Sequence, residues 1–103
     1  MIARIWHGRT SNDAALEYLE FLKRRAIPDY ETSPGNRGVY ILHRLDGAEA
    51  HFLCLSFWDS IEAIKSFAGE DIAKAKYYPE DQKFLLEFEP NVQHYEVSAK
   101  GLK

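Results

Sequence analysis

The side chains best suited to proton transfer in this sequence are its histidines, of which there are four. His7 and His94 lie in apolar, β-branched stretches near the two ends of the chain, and such stretches predict strands. A histidine beside a pocket can take the proton of a phenol near neutral pH and leave an electron-rich ring. The plainer alternative is a half-buried histidine bonded to a backbone carbonyl. We take His94 as the candidate base and His7 as its support.

Aromatic side chains supply a candidate wall for a planar ligand. Trp6 and Trp58 stand in or at the end of predicted strands, where an indole suits a flat molecule; core packing is the alternative. Tyr77 and Tyr78 are adjacent phenols that can orient a substrate oxygen, or simply pack. Arg4 shares a strand face with Trp6 and is suited to an anionic group, or to a surface ion pair.

The stretch FAGEDIAKAKYYPEDQKF, residues 67–84, is unusual for an amphipathic helix because glycine and proline interrupt it. Gly69 is expected to end a helix, and residues 70–83 to continue as short helical turns across the sheet. Such a path places Phe67 and Tyr77 above a cavity, whereas a straight helix would fill it. The sequence therefore predicts a small apolar pocket closed by this stretch.

Composition limits the partners. The chain has 103 residues, which favours a single domain spanning 1–103, and 46% of them are hydrophobic and 14% aromatic. That apolar content indicates a partner surface or a ligand cavity. The net charge is -3 with mixed signs, so there is no basic stripe for nucleic acid.

Cysteine usage and hydropathy suggest the location. Cys54 is the single cysteine and lies in an apolar run, as expected in a reducing cytoplasm without disulfides. No apolar stretch has the length of a membrane span. No spacing of histidine, cysteine and carboxylates resembles a metal site, and His43 and His51 are expected on opposite faces of a hairpin.

The order of predicted elements defines the fold class. A strand through His7 is followed by a helix ending before Pro28, two strands around Asp46-Gly47, a helix ending at Gly69, and a last strand over residues 84–97. Strand, helix, strand, strand, helix, strand is the ferredoxin-like arrangement of a four-stranded antiparallel α+β sheet.

The hairpin also predicts a partner. A two-residue turn at Asp46-Gly47 pairs Leu45 with Ala48 and sets Leu42 opposite His51. Both faces of the hairpin are then apolar, although two helices cover only one face of such a sheet. A second copy is the economical cover for the other face, which predicts a homodimer; loop and tail in a monomer are the alternative.

The whole chain resembles the antibiotic biosynthesis monooxygenase family of dimeric α+β barrels, from RIWHG through SFWDSIEAIKSFAG to NVQHYEV. The most specific element is a strand ending at Trp58, followed by a helix that carries Phe67. The resemblance implies a dimer with one pocket per subunit between sheet and helices. Members oxidise polycyclic phenols to quinones without a cofactor or degrade haem, and others are isomerases or lactone-forming enzymes.

The branches of the family differ in their site residues. The haem-degrading branch places a tryptophan, a haem-ligating histidine and an asparagine where this chain has Phe67, Tyr77 and a position near His7. None matches, so the resemblance implies no cofactor, although tyrosinate can ligate haem iron. The quinone-forming branch uses Trp, Asn and Tyr; Trp58 and Tyr77 or Tyr78 correspond, but no asparagine is expected in the second or third strand.

These observations together predict a cofactor-independent monooxygenase, or a related proton-transfer enzyme, acting on a planar phenolic or polyketide-like molecule. The alternative is a non-catalytic, small-molecule-binding or stress-associated homodimer that uses the same pocket. The site residues expected are base and support at His94 and His7, an orienting hydroxyl at Tyr77, and binding residues Trp58, Trp6, Phe67, Tyr78 and Arg4.

Overall fold

A computed structural model describes residues 1–101 as an α+β protein with one four-stranded antiparallel sheet. The strands are β1 (Ile2–Ser11), β2 (Asn36–Asp46), β3 (Glu49–Trp58) and β4 (Gln93–Glu96), in the order β2-β3-β1-β4. The helices cover one face of this sheet, here called the inner face. The ferredoxin-like arrangement predicted from the sequence is confirmed.

The first helical region is longer than expected. A 3-10 turn (Asn12–Ala14) leads into α1 (Ala15–Phe21), a π-helical turn (Leu22–Ala26) and α2 (Ile27–Glu31). The expectation that Pro28 ends the helix is wrong. Pro28 lies in the first turn of α2, where its missing N–H is tolerated because the preceding π turn has already shifted the hydrogen-bond pattern.

The helix predicted to end at Gly69 does so, but Ser60 forms its N-terminal cap. It is α3 (Ile61–Ala68), and the Ser60 hydroxyl accepts a hydrogen bond from the Ala63 N–H at 3.2 Å at its start. Gly69 ends α3 with a φ of 96°, a value that side chains disfavour. No helix within residues 1–101 is long and apolar enough to cross a membrane.

Two segments depart from the predicted pattern. Residues 70–78, here called the covering segment, are largely irregular, and helical turns appear only in the 3-10 helix Pro79–Lys83. The last strand is confined to β4, since the chain before it is held only by isolated bridges, including one between Lys74 and Asn91. The Ala75 N–H also donates to the Pro90 carbonyl at 2.9 Å, so these two irregular stretches support each other.

The hairpin turn lies one residue later than expected. Asp46 pairs with Glu49 across Gly47 and Ala48, which shifts the register by two positions and sets Leu42 opposite Leu53 instead of His51. A shift of two keeps every side chain on its predicted face. The inner face packs on the helices in an aromatic core whose fully buried members include Trp58, Tyr18, Phe52 and Ile64.

Candidate functional site

A small cavity lies between the inner face of the sheet, the helices and the covering segment. Its volume is about 20 Å³, room for about one water molecule. The side chains around it are mostly aromatic or charged: Arg4, Trp6, Tyr18, Leu22, Ala26, Tyr30, Cys54, Phe67, Lys76, Tyr78 and Asp81. The predicted pocket is therefore in the predicted place, but the aromatic side chains nearly fill it.

Arg4 is one of three charged residues that line this cavity, and only 1% of it is exposed. One terminal nitrogen, Nη1, donates to the Ile72 carbonyl at 2.7 Å and contacts His94 Nε2 at 3.1 Å. The other, Nη2, donates to the Lys74 carbonyl at 3.2 Å. Arg4 thus ties β1 to the covering segment.

The charge of Arg4 lacks an anionic partner. Within residues 1–101, no carboxylate forms an ion pair with Arg4, and its Nε has no hydrogen-bond acceptor. Burial lowers the pKa of Arg4 from its ordinary value, yet a guanidinium stays charged in proteins. Leaving a buried charge without a counter-charge lowers the free energy of unfolding by several kcal/mol, as is seen when one partner of a buried ion pair is removed. The site is therefore electrostatically suited to an anion.

Trp6 presents a second unsatisfied donor, because its buried indole N–H also has no acceptor among the described residues. The indole lies flat along β1 over Gly8, where an added Cβ would overlap the ring. Tyr77 packs edge-on to Trp6 with ring centroids 6.1 Å apart. Gly8 thus leaves space for the indole, and Trp6 and Arg4, which both line the cavity, each carry one buried N–H without an acceptor.

His94 lies directly behind Arg4 on the inner face, since the two residues pair across β1 and β4. A guanidinium only donates, so His94 Nε2 accepts from Arg4 and the imidazole is neutral. Burial and the Arg4 charge both lower the pKa of His94 below 6.5. His94 reaches the cavity only through Arg4.

His7 does not share this site. It points to the outer face, because side chains alternate along β1 and Arg4 and Trp6 occupy the inner face. Its Nδ1 is hydrogen-bonded to Glu89 Oε2 at 2.5 Å and its Nε2 to His51 Nδ1 at 2.9 Å. The expectation that His7 and His94 meet near the pocket is corrected: the sheet separates them.

Of the remaining predicted site residues, some line the cavity and others only pack behind those that do. Phe67 lines the cavity, and Trp58 packs behind it with ring centroids 5.1 Å apart while donating its indole N–H to Ser56. The Tyr77 hydroxyl points away from the cavity and donates to the Glu89 carbonyl at 2.5 Å. Burial, reinforced by the carboxylate of Glu89, raises the pKa of Tyr77 to about 12.

Lys76 is a site residue that the sequence did not reveal. Its ammonium donates to Asp29 at 2.8 Å and to the Phe67 carbonyl at 3.0 Å, and it lies 4.1 Å from the centre of the Phe67 ring. The Tyr78 hydroxyl donates to the same Asp29 carboxylate at 2.5 Å. Burial pushes the pKa of Asp29 upward, but the bonds from Lys76 and Tyr78 prevail and hold it below 3.8.

Asp81 is a second such residue. It lies in the 3-10 helix Pro79–Lys83 and is only 2% exposed. Asp81 accepts from the Tyr18 hydroxyl at 2.9 Å and from the Tyr78 N–H at 2.7 Å. Burial raises the pKa of Asp81 above 3.8 in spite of these bonds. Cys54 is also buried beside the cavity, and burial raises the pKa of its thiol to about 12.

An asparagine does occur in the second strand, contrary to expectation. Asn36 begins β2, but its side chain stabilises an irregularity of the strand: it accepts from the Gly38 N–H at 3.0 Å and donates to the Phe57 carbonyl at 3.3 Å. It is not part of the cavity lining.

Comparisons with solved structures identify the fold class. The heme-degrader MhuD from Mycobacterium tuberculosis, solved with two hemes in its active site, superimposes with a TM-score of 0.65 at 22% identity over 98% of this chain and 99% of that one. A mutant of MhuD, solved with two manganese protoporphyrin IX molecules per active site, gives 0.65 at 20% identity over the full length of both.

A candidate antibiotic biosynthesis monooxygenase from Bacillus cereus gives a TM-score of 0.54 at 15% identity, over 99% of this chain and 94% of that chain. At these identities the likeness shows the fold, which is the one that the sequence resemblance implied. No family model matches the chain, and no curated protein does.

The expectation that no cofactor belongs to this site is wrong by these comparisons, because two of the similar structures hold porphyrins. The residues of this chain do not fit a porphyrin as they stand. Sites that enclose drug-sized ligands measure about 300–1,000 Å³, against about 20 Å³ here. The Tyr77 hydroxyl, at the position of the haem-ligating histidine in the family resemblance, is already bound to a carbonyl.

Proposed function

We propose that this protein is a monooxygenase-like protein that binds a planar, anionic aromatic molecule between the inner face of the sheet and the covering segment. The cavity of about 20 Å³ is too small for such a molecule, so the covering segment moves outward to admit it. The buried, unpaired charge of Arg4 carries this proposal. A carboxylate or phenolate placed at Arg4 supplies the missing counter-charge and accepts from Arg4 Nε and Trp6 Nε1. Trp6, Phe67 and Tyr78 provide the apolar walls.

For a phenolic ligand, His94 is the proton acceptor in this proposal. A phenol oxygen inserted between Arg4 and His94 accepts a hydrogen bond from the guanidinium and passes its proton to His94 Nε2. The lowered pKa of His94 keeps its imidazole neutral at pH 7, which is the form that accepts a proton, but it also makes His94 a weaker base, so the transfer depends on Arg4 stabilising the phenolate. Arg4 then holds the phenolate that remains.

The binding experiment compares two ligands of equal shape. Titrating the protein with 2-naphthoate and with neutral 2-naphthamide, followed by quenching of tryptophan fluorescence, isolates the effect of the charge. We expect 2-naphthoate to bind at least about fivefold more tightly, since one charge-assisted hydrogen bond exceeds a neutral one by about 1 kcal/mol or more. Equal affinities contradict the proposal. Oxygen uptake with 1-naphthol then tests for oxidation, and His94→Gln should slow it without unfolding the protein.

A second candidate function is porphyrin binding, which the ligands of the two MhuD structures favour. It requires the covering segment to move away from Trp6 and Phe67. Titration with hemin decides it: a shifted Soret band that saturates at a fixed ratio supports a porphyrin site, and a spectrum identical to free hemin excludes one. A Tyr77→Phe variant shows whether that phenol ligates the iron.

The proposal also includes a homodimer, in which a second copy of the chain covers the outer face of the sheet. Each chain would form a single domain and act in the cytoplasm. The outer face exposes apolar side chains, among them 62% of Tyr40 and 57% of Tyr95. Sedimentation analysis tests the dimer. We expect Tyr40→Arg to yield monomers, while Leu16→Arg, at a residue that is 75% exposed in the helical layer, leaves the assembly unchanged. A wild-type monomer refutes the dimer.

A further inference from the structure

A cluster of two histidines and a carboxylate lies on the outer face, on the other side of the sheet from the cavity. His7 Nδ1 donates to Glu89 Oε2 at 2.5 Å, and His7 Nε2 faces His51 Nδ1 at 2.9 Å. The two imidazole rings are inclined by only 24°, with centroids 5.2 Å apart. One nitrogen of each ring therefore points toward the other ring.

The far nitrogen of each ring faces a carboxylate. For His7 this is Glu89, and for His51 Nε2 it is Asp46 at 3.8 Å and Glu49 at 3.9 Å. Histidines that ligate metals commonly donate their second N–H to a carboxylate, which fixes the tautomer and orients the ring. His7 has such a partner in Glu89, whereas the carboxylates near His51 Nε2 lie just beyond hydrogen-bond distance, at 3.8 and 3.9 Å. A change of tautomer in His51 frees both facing nitrogens without loss of a proton.

The spacing of the facing nitrogens suits adjacent ligands of one metal ion. Two metal–nitrogen bonds of about 2.0–2.1 Å at a right angle place the nitrogens about 2.9 Å apart, whereas a tetrahedral angle requires about 3.4 Å. The distance between His7 Nε2 and His51 Nδ1 is 2.9 Å. A right angle between nitrogen ligands is typical of tetragonal Cu²⁺ and Ni²⁺ sites.

The charge around the pair also favours a cation. Three carboxylates, Glu89, Asp46 and Glu49, lie 2.5–3.9 Å from the two imidazoles, and the two guanidinium groups nearby, Arg9 and Arg44, are paired with Glu49, Glu87 and Asp46. A cavity of about 270 Å³ opens beside both histidines, with room for water molecules as further ligands. Leu42 and Leu53 also line this cavity, and the apolar part of the outer face extends from them to Tyr40 and Phe57 at the other end of the strands.

We propose that His7 and His51 form a two-histidine site for a tetragonal divalent metal ion, Cu²⁺ or Ni²⁺, with Glu89 positioning the His7 ring. The site is separate from the ligand cavity and stands whether or not that cavity binds an aromatic anion.

Titration of the untagged protein with CuCl₂, followed by calorimetry and electron paramagnetic resonance, tests the site. We expect one tight Cu²⁺ per chain, with hyperfine structure from two imidazole nitrogens. His7→Gln and His51→Gln should each remove the two-nitrogen signal, and Glu89→Gln should weaken binding by about 10–100-fold. His43→Gln is the matched control, because His43 sits next to the cavity on the other strand face and should leave binding unchanged.

Three results overturn the proposal: no tight Cu²⁺ site in the wild-type protein, a spectrum with fewer than two nitrogens, or binding that survives His51→Gln. The spectrum of the wild-type protein decides the matter even where a histidine variant fails to fold, which circular dichroism detects.

Discussion

Replacing Arg4 with methionine separates a binding role of this residue from a structural one. Methionine keeps much of the length and volume of the side chain but removes the charge and all donors. If Arg4 is kept for an anionic ligand, the variant should lose affinity for 2-naphthoate far more than it loses stability.

The expected stability change is small because two effects oppose each other. Losing the bonds to the Ile72 and Lys74 carbonyls costs about 1.5–3 kcal/mol each, as for other bonds to a charged group. Removing a buried, unpaired charge returns several kcal/mol of desolvation. The free energy of unfolding of Arg4→Met should therefore lie within about 2 kcal/mol of wild type.

The expected affinity change is large. Truncating one partner of a buried charge pair costs about 2–5 kcal/mol, which corresponds to about thirtyfold to several thousandfold in the dissociation constant. Affinity for neutral 2-naphthamide should change little. Arg37→Met is the control, since Arg37 is an exposed arginine that pairs with Asp59.

Urea denaturation gives the stability, and fluorescence titration with the two naphthalene ligands gives the affinities. Unchanged affinity of Arg4→Met for 2-naphthoate would refute the anion site. A loss of stability beyond about 4 kcal/mol, with no selective effect on the anion, would show that Arg4 serves the fold alone.

Three further predictions concern stability. The stability of Asp81→Asn relative to wild type should rise between pH 4 and pH 7. The reason is that the pKa of Asp81 is raised in the folded protein, so the wild type loses stability as the pH rises from 3.8 through that pKa. Urea midpoints of the two proteins that stay parallel across this range would contradict this prediction. Asp29→Asn should show the opposite trend: its deficit, from the broken contact with Lys76, is full at pH 7 and shrinks as the pH falls below 3.8, because the pKa of Asp29 is lowered. Gly8→Ala should destabilise by about 1–3 kcal/mol in thermal denaturation, since the new methyl group displaces the Trp6 ring; an unchanged Tm would show that the ring moves freely.

Strand alternation explains which features of the sheet were predictable. The hairpin prediction survived a register error of two residues because side chains alternate with a period of two, so the predicted faces of Leu42 and Cys54 are those observed. The same rule, applied to Arg4 and Trp6, already implied that His7 lies on the other face of β1. The alternation rule therefore already argued, from the sequence alone, against placing His7 beside His94 at the pocket.

The covering segment was not predictable in the same way. Residues 70–78 have no helical or strand period, and their path is set by contacts distant in sequence, such as Arg4 with the Ile72 carbonyl and Tyr77 with the Glu89 carbonyl. The filled cavity follows from these contacts. Pro28 illustrates the same point within a helix, because only the preceding π turn makes a proline there acceptable.

The bonds from Arg4 to the Ile72 and Lys74 carbonyls have a kinetic consequence. One guanidinium both fastens the covering segment and, in the proposed function, receives the charge of the ligand, so the two uses compete. The apparent dissociation constant then equals the intrinsic one divided by the fraction of molecules in which Arg4 has released the two carbonyls. In rapid mixing, the observed association rate should level off at high ligand concentration, at the rate at which the guanidinium releases the two carbonyls.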